Sequence, residues 1–84
     1  MKESVFVYVM YSAKSRLIDT GVTTEPVGAL DAYNTSKHKF ASAHRPWVMV
    51  HYEEYNSNED ASLREEYLKS PAGKLLIKSK LSLI

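Results

Sequence analysis

The stretch from Lys37 to Trp47 gathers the side chains best suited to a polyanion. Lys37, Lys39 and Arg45 supply cations, and Phe40 and Trp47 supply flat aromatic surfaces. Cations reach phosphate oxygens and rings stack on bases, so the combination suits single-stranded or distorted nucleic acid. The plainer role is a solvated basic loop with both rings turned into the core. No acid lies between Asp31 and Glu53; then Glu53, Glu54, Glu59, Asp60, Glu65 and Glu66 face only Arg64; Lys69, Lys74, Lys78 and Lys80 follow without an acid. Two basic segments around an acidic one serve a polyanionic ligand or balance one another on a solvated surface. His38, His44 and His51 stand six and seven residues apart, a spacing of no compact ligand motif, and without cysteine a zinc centre is not expected. No nucleophile-elbow motif supports a Ser/His/Asp hydrolase.

One carboxylate has a distinctive place. Ala61, Glu65 and Leu68 fall at i, i+4 and i+7, which puts Glu65 on a stripe shared with small and apolar side chains. An ion pair with Lys69, one turn on, is its plainer role.

The elements that must position these groups are readable in outline. Residues 4–12 are the clearest strand, with Val5, Val7 and Val9 on one face and Phe6, Tyr8 and Met10 on the other. Both faces are largely apolar, which predicts a central strand covered on two sides. A polar connector of about four residues leads to a shorter strand over Arg16 to Val22, a hairpin. Thr23 or Thr24 followed by Glu25-Pro26 predicts a hydroxyl-capped helix to about Tyr33, with Val27, Leu30 and Tyr33 on its buried stripe. Residues 35–45 read as a polar, basic loop. Pro46 opens a strand from Trp47 toward Tyr55. Asn56-Ser57-Asn58 and the acids after it start a helix to about Lys69. Ser70-Pro71 then begins a last one, carrying Leu75, Leu76 and Ile77. The expected fold is α+β: a three-stranded, mostly antiparallel sheet with three helices, in the order β-β-α-β-α-α.

With 84 residues there is room for one core only, so residues 1–84 are read as a single domain. Apolar runs of a few residues are far shorter than the roughly 20 that a membrane helix needs. Met1-Lys2-Glu3-Ser4 leads straight toward a strand with no signal-peptide pattern. A cytoplasmic protein that binds no membrane is the expectation.

That element order and four landmarks resemble the small stand-alone branch of the GIY-YIG nuclease superfamily. Phe6-Val7-Tyr8 stands where the family's first tripeptide lies, and Asp19-Thr20-Gly21 where the second lies. Residues 21–34 have the spacing of the family's first helix. Arg45-Pro46-Trp47 to Tyr52-Glu53-Glu54, with Leu63-Arg64-Glu65 and Leu68-Lys69, is similar to its third strand and following helix. The resemblance covers residues 4–80. It implies a nucleic-acid partner, most simply DNA, and phosphodiester hydrolysis with one divalent metal, Mg²⁺ or Mn²⁺.

The departures shape the functional expectation. By position, the family's first tyrosine is Tyr8 and its metal-binding glutamate is Glu65. The second tyrosine falls on Asp19, the helix arginine on Ala29 and the histidine on Tyr33. Glu65 is one candidate ligand for Mg²⁺, and Asp19 is a candidate second, since two carboxylates hold a hard cation better than one. Tyr8 by resemblance lies near the reacting water; a buried phenol with a hydrogen-bond partner is its plainer role. Alanine cannot replace a guanidinium fork at a phosphoryl group, a loss worth about 10³–10⁵ in rate in other phosphoryl-transfer enzymes. The expectation is therefore a nucleic-acid-binding domain with weak or absent cleavage, in which Lys37, Lys39 and Arg45 touch the ligand. A DNA endonuclease whose cation comes instead from Lys14, Arg16, Lys37 or Lys39 is the second reading. A protein-interaction module using Trp47, Tyr52 and Tyr55 is the third.

Overall fold

In a computed structural model, residues 4–81 are described; the lead-in at Met1–Glu3 lies outside them. The elements are β1 (Val5–Ser12), β2 (Leu17–Thr23), α1 (Pro26–Thr35), α2 (Lys39–Ala43), β3 (Trp47–Tyr55), α3 (Asn58–Lys69) and α4 (Pro71–Lys80). The sheet order is β2-β1-β3 with both pairings antiparallel, so the doubly apolar β1 is indeed central.

Alternation along β1 divides the core between two faces. Val5, Val7 and Val9 pack with Ala61 and Leu68 of α3 and Ile77 of α4. Tyr8 and Met10 pack with Trp47, against Ala29, Leu30 and Tyr33 of α1. Each fully buried aliphatic side chain contributes about 1.5–3 kcal/mol relative to exposure. The α3/α4 face is the better anchored of the two, because α1 buries no residue completely while α3 and α4 each do.

The helix signals after β3 hold. Ser57 Oγ accepts from Asp60 N at 3.1 Å, and Glu59 and Asp60 fill the first turn of α3 beside its positive dipole end. Ser70 Oγ accepts from Gly73 N at 3.2 Å, with Pro71 in the first turn of α4.

Three local expectations are corrected. Residues 35–45 are not all loop: Lys39–Ala43 form α2, tied down by Trp47 Nε1, which donates to Ala41 O at 2.9 Å. The N-cap of α1 is Glu25, without a side-chain capping bond; Thr23 Oγ1 instead accepts from Glu25 N at 3.0 Å. Val27 is 84 % exposed and does not join the α1 stripe, because α1 lies so that Ala29, Leu30 and Tyr33 meet the sheet.

Candidate functional site

The site forms where α1 crosses β1 and β2. Cross-strand pairing sets Gly21 opposite Tyr8 and Asp19 opposite Met10, so Asp19 stands on the α1 face of the sheet. The Tyr8 ring lies over Gly21. A Cβ at position 21 would run into the Tyr8 Oη, so this glycine supplies space; its φ is not positive.

Tyr33, on the sheet-facing side of α1, joins the two strands. Its hydroxyl donates to Asp19 Oδ2 at 2.6 Å, and the Tyr8 hydroxyl lies 3.1 Å from the Tyr33 hydroxyl oxygen. A phenol has one proton, and that of Tyr33 is spent on the carboxylate, so Tyr8 donates to Tyr33. The rings reinforce this chain edge to face, Tyr33 against Tyr8 at 5.8 Å and against Trp47 at 5.4 Å. Burial, and then the bond to Asp19, push the Tyr33 phenol well above its ordinary value, so it stays protonated.

Asp19 and Tyr33, two of the three positions expected from the sequence to depart from the family pattern, satisfy each other. The third, Ala29, packs against the same cluster, one helical turn before Tyr33. Among the described residues no lysine or arginine donates to Tyr8, Tyr33 or Asp19. Arg45 Nη1 donates to Asn34 O at 3.1 Å, at the C-terminal end of α1. Asn34 in turn grips β3: its Nδ2 donates to Trp47 O at 2.9 Å, and its Oδ1 accepts from Trp47 N at 2.6 Å.

Beyond Asp19 and Tyr33 an open cleft of about 340 Å³ runs to α2. Phe40 and His38 line its far side, with Ala32 and Ala41 between. Lys37 and Lys39 are exposed beside it, on the segment that enters α2. Trp47, 1 % exposed, belongs to the core and is not a stacking surface; Phe40, 44 % exposed, is.

Glu65 takes the place its spacing predicts, on the α3 stripe with the buried Ala61 and Leu68, and pairs with Lys69 Nζ at 3.1 Å. That stripe faces the opposite side of the sheet from Asp19. The structure thus brings Asp19 together with Tyr33 and Tyr8, and does not bring it together with Glu65. A divalent cation fits this donor set poorly: Asp19 and Glu65 lie on opposite faces, and Glu65 is already paired with a lysine. The described residues contain no cluster of three histidine or acidic side chains suited to a metal. The three histidines are scattered, with His44 Nδ1 at 2.6 Å from Ser15 Oγ and His51 Nε2 at 2.8 Å from Glu53 Oε2.

A second polar constellation was not anticipated. Glu53, on the α3/α4 face of β3, accepts from Arg64 Nε at 2.8 Å and Nη2 at 3.0 Å, and from Tyr55 at 2.6 Å, besides its contact with His51. Burial alone would raise its carboxyl; the bonds from Arg64, Tyr55 and His51 outweigh it and hold the group at about 2. The signal was present in the alternation of His51, Glu53 and Tyr55, three polar groups on one face of a strand that otherwise packs against α3.

A family model described as GIY-YIG catalytic domain matches residues 4–78, nearly the whole chain. Among curated proteins and among solved structures there is no match.

Proposed function

The chain belongs to the GIY-YIG family, whose nucleases act on nucleic acids with a metal's help, and from this membership we propose a nucleic-acid-binding domain, most simply for DNA, in which phosphodiester cleavage is weak or absent. The observation that carries this reading is the methyl group of Ala29 against the Tyr8–Tyr33–Asp19 chain. A phosphoryl group there would meet two phenols and a carboxylate, with no permanent cation to offset the charge that develops during displacement. Tyr8, with its proton directed inward to Tyr33, keeps lone pairs that orient a water, and the base at the end of its chain, Asp19, is one phenol removed. Any Mg²⁺ or Mn²⁺ brought to this fold would find in Glu65 a carboxylate already paired with Lys69. Affinity then rests on the exposed Lys37 and Lys39, with Arg45 beside them, and on the Phe40 ring. Among the described residues no helix is long and apolar enough to cross a membrane; a cytoplasmic setting is part of this proposal.

The test is to incubate the protein with supercoiled and branched DNA and Mg²⁺ or Mn²⁺, alongside Glu65→Ala. Salt-dependent binding without nicking is the expected result. Rapid nicking that vanishes in Glu65→Ala would replace this reading by that of a working endonuclease with a rebuilt cation site. Ala29→Arg is expected to raise any residual cleavage, because it returns a fork to the vacant place. The protein-interaction reading loses its aromatic face, since Trp47 is buried and Tyr55 is engaged with Glu53, leaving Tyr52 at 61 % exposure.

A further inference from the structure

The cleft between Asp19 and Phe40 is built for more than general polyanion binding. Asp19 Oδ2 holds the Tyr33 proton, while Oδ1 takes no donor from the described residues. No buried side-chain oxygen among those residues is left without a partner, so Oδ1 is open to the cleft that Asp19 lines. Each carboxylate oxygen has two lone pairs, so Oδ2 also retains one. Tyr33 thus fixes the orientation of the carboxylate without using it up.

The opposite wall is equally prepared. Phe40 is tilted against Trp47 at 5.8 Å between ring centres and set edge-on to His44 at 5.1 Å. Both neighbours support the ring, which remains 44 % exposed. Ala32 and Ala41 put only methyl groups into the space between, and its volume of about 340 Å³ is that of a small-molecule site, a class that begins near ~300 Å³.

A flat ligand stacked on Phe40 therefore presents its edge to an acceptor-only group with two oxygens. Among nucleobases, guanine alone offers two parallel N–H donors on its Watson–Crick edge. Adenine and cytosine set an amine beside a ring-nitrogen acceptor, which a carboxylate repels. Thymine and uracil place one N–H between two carbonyl oxygens. Lys37 and Lys39, exposed on either side of His38 and just before Phe40 in the chain, are the cations at hand for the flanking phosphates. We infer that this cleft receives an unpaired guanine base of a nucleic-acid strand, stacked on Phe40 and read by Asp19. The inference rests on the nucleic-acid reading above and adds to it a base preference.

The measurement is fluorescence anisotropy with short oligothymidylate strands carrying one central guanine, inosine, adenine or no substitution. The guanine strand is expected to bind roughly 10-fold tighter than plain oligothymidylate. Inosine, which lacks the exocyclic amine, falls between them. Asp19→Asn, similar in shape but carrying an amide donor in place of one acceptor, is expected to remove most of the preference while leaving binding of plain oligothymidylate. Phe40→Ala, at a half-exposed position that leaves the core intact, is expected to weaken the guanine strand by about 10-fold through lost stacking. GMP titrated in the same assay separates the sources of the base: a strand bound more tightly than GMP assigns the site to nucleic acid, and equal affinity assigns it to a mononucleotide. Equal, salt-dependent binding of all strands would overturn the guanine site and leave the nucleic-acid reading standing. If no strand binds, both fall.

Discussion

The two faces of the sheet treat an edge-strand carboxylate in opposite ways. On the α1 face Asp19 receives one phenol and keeps an open oxygen. On the α3/α4 face Glu53 receives a guanidinium fork, a phenol and an imidazole at once. The arginine that could aim at a phosphate is absent from the first face, while on the second Arg64 is turned inward and also lies 5.2 Å from the centre of the Tyr67 ring. A carboxylate saturated by donors, a permanent cation among them, becomes structure. One with a single neutral donor remains available to a ligand.

The sharpest way to break this comparison is to remove Arg64. Arg64→Ala leaves Glu53 largely buried with its charge uncompensated and is expected to cost about 2 kcal/mol at neutral pH, the partial exposure of both groups reducing the figure for a fully buried pair. Urea denaturation measures it, and a loss below roughly 0.5 kcal/mol would put Glu53 on the same footing as a surface acid.

Acid should act through the same group with an effect of similar size. The Glu53 carboxyl titrates near 4.5 in the unfolded chain and at about 2 in the folded one, so the unfolded state takes up the proton first. Its contribution is complete above about 4.5 and is lost as pH falls through about 2, a loss on the order of 2 kcal/mol after allowance for solvent screening. The fall should be shallower in Arg64→Ala; an identical acid limb in the two proteins would detach the carboxylate from the fork.

Tyr33→Phe is expected to be the mildest of the three, near 1 kcal/mol, because it removes hydrogen bonds while keeping the ring against Tyr8 and Trp47. The Tyr33 phenol titrates higher folded than unfolded, so its contribution is whole below about 10 and declines as pH rises beyond it. Tyr55 is shifted the same way by Glu53, so the alkaline limb of the stability curve should shrink in Tyr33→Phe without vanishing. A cost exceeding that of Arg64→Ala would reverse the assignment of roles to the two faces.

Local signals carried much of this architecture. The valines of β1, the turn and acids that open α3, the Ser70-Pro71 start of α4, and the stripe of Ala61, Glu65 and Leu68 are short-range patterns that read the same in the chain and in the fold. Helix α2 was hidden because five residues without a buried member have no period; a tryptophan indole arriving from β3 holds it in place. Asp19 and Tyr33 were visible singly, yet their bond spans fourteen positions and depends on which face of the sheet α1 covers. The separation of Asp19 from Glu65 has the same origin. Alternation assigns side chains to faces, but only packing decides which helix takes each.

The joint between α3 and α4 has its own consequence. Ser70 closes one helix and opens the next, and Gly73 lies so near the Tyr67 carbonyl and the Leu68 backbone that no side chain fits between. There is no slack residue at which the corner could flex. Each residue of an α-helix advances it by about 100°, so a single added position at this corner would turn α4 like a miscut key, carrying Ile77 off the sheet and Lys80 away from His51. The spelling of the corner sets the phase of everything after it.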